Sequence, residues 1–320
     1  MRIPTAEPVT IATETDYSPF PLGGDPTRWG LHTSLIPTAL GPVTVRHGRA
    51  GGPVATILLH GAAGSWTTWT PVLEAADQGD AAPLRDVVIP DLPGWGDTPL
   101  PEDAATETIQ ALAVDVADIA QFLGYQRWRV IGHSLGGFVA LELAASAPDR
   151  TEHVGLVSAT TYGVIASARQ PWAGLAVLPG FTGLLGVMRA LAGLRDEGRG
   201  LVGALHRRGL MRALVAPLFA HTDRIDATVV DALAAEARPR AFALAAALAG
   251  RYDADRSWAR IVCPVRAVHG DRDVFVTTGD DRRMAAVIAD FAVTELADTG
   301  HFGHIERPLA ALRGVWPARP

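Results

Sequence analysis

Val130-Ile131-Gly132-His133-Ser134-Leu135-Gly136-Gly137 reads as a short apolar strand that runs into a tight turn and then into an apolar helix over residues 138–147. The serine has a glycine two residues away on each side, the GxSxG pattern. A Cβ at either glycine would collide where strand and helix approach, so only glycine fits there. Such a turn lifts Ser134 Oγ clear of a sheet, and the first amides of the helix favour negative charge developing beside it. In a chain with 33 glycines the pattern alone is weak, and its meaning depends on what surrounds it.

Outward from this stretch, strand and helix patterns alternate. Residues 42–48 alternate like a half-buried strand, and residues 54–59 form a continuous apolar strand ending in His60-Gly61. A helix is expected over 66–76, a strand over 86–90, and a helix over 107–123 with Ile109, Leu112, Val116, Ile119 and Phe122 at helical spacing. Strands at 128–131 and 153–158 continue the series. This predicts an α/β fold, a mostly parallel, doubly wound sheet with helices on both faces. From about residue 160 to 250 strand texture gives way to Ala, Leu, Gly and Arg in helical spacings. It returns at 263–269 and 292–296, with helices at 280–289 and after Pro308. The expected organisation is an irregular N-terminal arm (1–40), a discontinuous α/β core (41–160 and 251–320) and an inserted helical lid (161–250).

Composition narrows the chemistry. The 320 residues carry 48% hydrophobic side chains, ample for a packed core, and a formal charge of −6 without long runs of either sign. That balance gives no footprint for nucleic acid or for an acidic membrane surface. All 28 basic residues are arginine, which excludes a P-loop lysine, a Schiff-base lysine and a pyridoxal phosphate lysine. The single cysteine, Cys263, stands in an apolar strand start and reads as a buried structural thiol. No histidine pair shows metal-ligand spacing with a carboxylate, so neither a metal nor a cofactor is expected. The N-terminal residues lack an apolar signal segment, from which a cytoplasmic location is expected. Residues 171–188 carry no charge, but Pro179-Gly180 and Gly183 break them, so no membrane span is expected.

A serine nucleophile needs a base within hydrogen-bond reach and a third group to orient that base. Val268-His269-Gly270-Asp271-Arg272-Asp273 places two acids at the end of one strand, and Thr299-Gly300-His301-Phe302-Gly303-His304 places two histidines after the last. The carboxyl ends of parallel strands line one edge of the sheet, where such groups converge. The chain order is Ser, Asp, His.

These residues carry a family resemblance. From residue 41 onward the chain resembles the lid-bearing α/β-hydrolase fold superfamily through five stretches in order. They are His60-Gly61-Ala62-Ala63-Gly64-Ser65, Asp91-Leu92-Pro93-Gly94-Trp95-Gly96-Asp97-Thr98, Gly132-His133-Ser134-Leu135-Gly136-Gly137, Gly270-Asp271-Arg272-Asp273, and Gly300-His301 with Glu306 and Pro308. The resemblance implies Ser134 as nucleophile, His301 as base and then acid, and Asp273 as the orienting carboxylate. It also implies an oxyanion hole made by the backbone N–H groups of Ala62 and Leu135. Asp273 is preferred over Asp271, and His301 over His304, because they match the family's positions. His60 and His133 read as buttresses of their own turns.

The resemblance further implies hydrolysis of a carboxylic ester or lactone with an apolar acyl or alcohol part, through an acyl-enzyme, with water as second substrate. Carbon–carbon bond hydrolysis of dienol diketones, cofactor-free perhydrolysis and acyl transfer share the same three residues. His133, Leu135 and Phe302 stand where the carbon–carbon hydrolases usually carry Asn, Met and Trp. A ligand-binding protein that has kept the fold and lost turnover is the non-enzymatic alternative. The lid's aromatic and aliphatic residues predict a mainly apolar pocket, with Phe181 and Phe302, and with Trp66, Trp69 and Trp95 as rim candidates. Arg189, Arg195, Arg199, Arg207, Arg208 and Arg212 read as a solvated helix face.

Overall fold

The computed structural model describes residues 8–11, 17–79, 84–101, 107–194 and 196–316. Among them nine strands form one sheet: β1 Val9–Ile11, β2 Leu31–Thr38, β3 Gly41–Gly48, β4 Val54–Leu59, β5 Val87–Pro90, β6 Arg127–His133, β7 Thr151–Val157, β8 Val265–Gly270 and β9 Phe291–Leu296. Their order is β1-β9-β8-β7-β6-β4-β5-β3-β2, parallel throughout except that β3 runs against β5 and β2 against β3. Central strands are buried on both faces, which is why β4 and β5 read as unbroken apolar runs.

Helices α1 Thr70–Gln78, α2 Ile109–Phe122 and α3 Leu135–Ser146 connect the first parallel strands. In α2 the buried positions Ile109, Leu112, Val116 and Ile119 form one stripe, and Thr108 caps its start by accepting from the Ala111 amide at 2.9 Å. All of α3 except Ser146 is buried, in keeping with a helix that is apolar on every side. Its one acid, Glu142, accepts a hydrogen bond from Tyr252.

Between β7 and β8 every regular element among the described residues is helical: α4 Tyr162–Arg169, α5 Pro171–Val177, α6 Pro179–Gly193, α7 Asp196–Arg207, α8 Met211–Val215, α9 Ala227–Glu236, α10 Pro239–Arg251 and α11 Ala254–Trp258, with short 3-10 turns. The charge-free stretch 171–188 falls on α5 and α6, which are separated at Leu178 by Pro179 in the first turn of α6. No helix among the described residues is long and apolar enough to cross a membrane. Helices α12 Thr278–Val287, α13 Gly303–Glu306 and α14 Pro308–Val315 complete the chain.

The N-terminal region differs from the irregular arm that its Pro, Thr and Gly content suggests. Residues 31–38 are an edge strand paired with β3 from Leu31↔Gly48 to Thr38↔Gly41, and Val9–Ile11 pairs parallel with β9 at the opposite edge. The hairpin between β2 and β3 turns through Ala39-Leu40 rather than the Asn-Gly or Asp-Gly that announces a two-residue turn. Pro37 lowers the strand signal yet is tolerated on an outer strand.

Candidate active site

The sheet order sets the site. From β4 the chain goes to β5 on one side and then to β6 on the other, so the connections after β4 and β6 diverge and leave a crevice at their carboxyl ends. The loop 60–65 follows β4, and Ser134 follows β6.

Ser134 sits at φ 50°, ψ −116°, a conformation that a non-glycine residue rarely adopts, that costs about 1–3 kcal/mol, and that persists only where the surroundings enforce it. Here they do. A Cβ on Gly132 would lie 2.3 Å from the Gly136 carbonyl oxygen, and one on Gly136 would lie 2.2 Å from that of Leu59. The Ser134 amide donates to Val157 O at 3.1 Å, and its carbonyl accepts from Gly137 N at 3.0 Å. The serine thus precedes the first turn of α3 with its backbone fully engaged. The amides of Leu135 and Ala62 donate to no backbone acceptor among the described residues. Ala62, Ser134 and Leu135 border one cavity.

His301 reaches the same cavity from the loop after β9. Its Nδ1–H donates to Asp273, 3.0 Å from Oδ1 and 3.1 Å from Oδ2, which leaves Nε2 as the ring nitrogen without a partner among the described residues. Asp273 also accepts from the Phe275 amide at 2.8 Å. Burial alone would push this carboxyl up. The charge of His301, its hydrogen bond and the Phe275 amide outweigh that and hold it below the ordinary carboxylate range. Ser134 Oγ forms no hydrogen bond among the described residues, an open arrangement common where a substrate must still complete the contact.

The structure separates the competing residues. Asp271 accepts from the Thr299 amide at 3.1 Å and so ties the two loops together, whereas Asp273 alone meets His301. His304 is fully buried with both ring nitrogens unpartnered, 4.8 Å from Trp69 and 4.2 Å from His133 between ring centroids. Desolvation and the nearby histidines push its pKa down to about 3, so it stays neutral. It does not border the cavity.

Two supports were only half visible in the sequence. His133, expected to brace its own turn, reaches across the sheet edge, and its Nε2–H donates to the His301 carbonyl at 3.1 Å. Glu306, buried at 0% exposure, accepts from the amides of Gly300 (2.9 Å), Phe302 (3.2 Å) and Ala220 (2.9 Å) and from Tyr17 Oη (2.7 Å). It clamps the loop on both sides of His301 and joins it to residues 17 and 220, a role that its place in a motif did not specify. Asp91 does similar work on the other wall, accepting from the Trp66 amide at 2.8 Å and the Asp97 amide at 3.0 Å while paired with Arg46.

The cavity measures about 320 Å³. Its polar side chains are Ser134, Thr160 and His301, all at one end; the other lining side chains are apolar and come largely from α4, α6, α7, α8 and α10. Phe181 and Phe302 border it. Trp66, Trp69 and Trp95 do not: all three are buried, Trp66 against Arg46 and Trp29, Trp69 beside His304, and Trp95 near His60. Thr160 was missed because its only signal was its place just beyond a strand end. Cys263 is buried and unpaired, its thiol pushed up to about 11 by burial, and it lies outside the cavity. Among the described residues no cluster of three or more His, Cys, Asp or Glu could hold a metal ion.

The sequence pattern of the alpha/beta hydrolase family matches residues 56–315, which include Ser134, Asp273 and His301. The chain belongs to the alpha/beta hydrolase family. This alpha/beta hydrolase is 38% identical over 125 residues to the dihydrolipoyllysine-residue acetyltransferase component of the acetoin cleaving system of Cupriavidus necator, a match covering 38% of this chain and 31% of that protein. The chain thus spans about a third of the length of the curated relatives it matches first. Among solved structures, a hydrolase from Pseudomonas aeruginosa PA01 superimposes with a TM-score of 0.67 at 21% identity, over 90% of this chain and 99% of the other. A thermophilic esterase from Thermogutta terrifontis gives 0.63 at 21% identity, over 88% and 96%. At that identity the likeness establishes the fold.

Proposed function

We propose that this alpha/beta hydrolase cleaves carboxylic esters or lactones whose acyl or alcohol part is apolar, through an acyl-enzyme on Ser134. The observation that carries this reading is one cavity with Ser134 and His301 at its polar end and aliphatic side chains elsewhere, His301 being held by Asp273 at 3.0 Å.

In this reading Nε2 of His301 takes the proton from Ser134 Oγ as the oxygen attacks the substrate carbonyl. Asp273 stabilises the imidazolium and fixes the tautomer. The amides of Ala62 and Leu135 receive the oxyanion, each contributing about 3 kcal/mol to the transition state. His301 then returns the proton to the leaving alcohol, and water repeats the sequence to release the acid. The glycines that fix the backbone around Ser134 keep the hydroxyl in place, so little reorganisation is needed during reaction. The helical segment between β7 and β8 serves as the lid, its inner side chains excluding water from the acyl-enzyme.

A fluorophosphonate probe should label Ser134 in the folded protein and leave Ser134→Ala unlabelled, as read by mass spectrometry. Hydrolysis of nitrophenyl esters should favour medium or long acyl chains over acetate. Full activity of Ser134→Ala would overturn the mechanism, and activity confined to short polar esters would overturn the substrate reading.

A further inference from the structure

The cavity opens through the helical segment itself. Val187 on α6 and Leu214 on α8 both border the cavity and are each 56% exposed, so they stand at its mouth. Apolar surface continues at the ends of these helices. Leu194, which follows the last residue of α6, is 52% exposed, and Leu210, which precedes the first residue of α8, is 47% exposed. Eight of the thirteen exposed large apolar side chains among the described residues fall between 172 and 214. Such a concentration on one segment marks an interaction surface rather than the scatter normal for a protein exterior.

Charge decides what covers it. Residues 171–215 contain six arginines and two carboxylates, in a chain whose net charge is −6. Arg189, Arg199, Arg207 and Arg208 are exposed and form no ion pair among the described residues; Arg195 lies outside them. Apolar side chains at a cavity mouth, on a segment that also carries exposed guanidinium groups on long stems, suit a surface whose headgroups are anionic and whose interior is hydrocarbon.

We infer that the outer face of α6 to α8 docks on an anionic lipid surface, so that the cavity draws its apolar ligand from that surface rather than from water. The docking rests on the mouth and its charges, and does not require the chemistry proposed for Ser134.

Partitioning of the full chain onto vesicles of phosphatidylglycerol and of phosphatidylcholine tests this, measured by co-sedimentation at about 0.1 M salt, where charges act over about 10 Å. Phosphatidylglycerol should bind at least tenfold more protein, and raising the salt should release it. Arg207→Gln/Arg208→Gln should lower the partition coefficient about 30-fold, from roughly fivefold per arginine. It should leave hydrolysis of a monomeric soluble ester unchanged. Leu194→Asp/Leu210→Asp should also weaken binding, and circular dichroism would verify that both variants fold. Ser134→Ala should bind like the parent, so a failure of docking and a failure of the hydrolytic reading are separately visible. Equal binding to the two lipids, no binding to either, or unchanged partitioning of both double variants would overturn the inference. So would a dimer in light scattering that Leu194→Asp/Leu210→Asp splits, because a second copy would then cover the face.

Discussion

The two ends of the cavity are built by opposite rules. At the sheet end, backbone and side chains are fixed by hydrogen bonds: Ser134 by Val157 and Gly137, His301 by Asp273 and His133, and the loop around it by Glu306. Each contact is directional and has no ready substitute. At the helical end, residues such as Leu184, Met188 and Leu205 meet the cavity through aliphatic contact alone. Dispersion and burial are non-directional, so another side chain of similar volume can take over. The contrast teaches that a substitution at the sheet end should change rate, whereas one at the helical end should change which ligand is taken.

The largest effect should come from Ser134→Ala, a loss in kcat of about 10⁶-fold, as expected when the nucleophile of such a group is removed. Asp273→Asn should cost about 10⁴-fold, because an amide no longer selects the His301 tautomer with Nδ1 protonated. Its KM should stay near the parent value, since Asp273 does not border the cavity. If Asp273→Asn lost less activity than Asp271→Asn, the assignment of the acid would have to be exchanged.

Stability should divide along the same line, because the buried histidines belong to the sheet end. His304 titrates at about 3 in the folded protein, and His133 is also held well below the usual histidine range, in both cases chiefly by desolvation. Their folded pKa values lie below the unfolded value of about 6.5. As pH falls below that value the unfolded chain takes up protons that the folded chain refuses, and stability drops by about 1.4 kcal/mol per pH unit for each. Urea unfolding between about pH 6.5 and 4.5 should show this slope, and His304→Leu should make it shallower by one histidine's share. An unchanged slope in that variant would mean that His304 is not the group responsible.

The smallest effect is expected at the helical end. Met188→Trp should shorten the cavity, reducing kcat/KM for an octanoate ester about tenfold relative to butyrate while leaving butyrate within about threefold of the parent. Equal losses on both esters would erase the distinction between the two ends.

Much of this site was legible in the sequence because its parts are local. The turn at Ser134 needs glycines two residues away on each side, and the apolar run before it identifies the strand. Asp273 and His301 follow strands in the order that brings them to one edge. Phe181 and Phe302 border the cavity. Trp66, Trp69 and Trp95 were assigned to its rim because large aromatics on loops suggest contact surfaces, yet all three are consumed by packing behind those loops. The edge strand Leu31–Thr38 was hidden by Pro37 and by a turn without its usual residues.

The sequence by itself determined which segments are buried, which turns demand glycine, and the succession of serine, acid and histidine along parallel strands. These follow from periodicity and sterics within a few residues. Only the tertiary structure decided that Asp273 rather than Asp271 meets His301, that His133 supports a carbonyl 168 positions away, and that Glu306 holds Gly300, Phe302, Ala220 and Tyr17 together. Those contacts depend on strand order and on how loops from distant parts of the chain settle against one another. A local pattern tells a side chain that it must be buried, but the partner it finds there is set by the folded sheet.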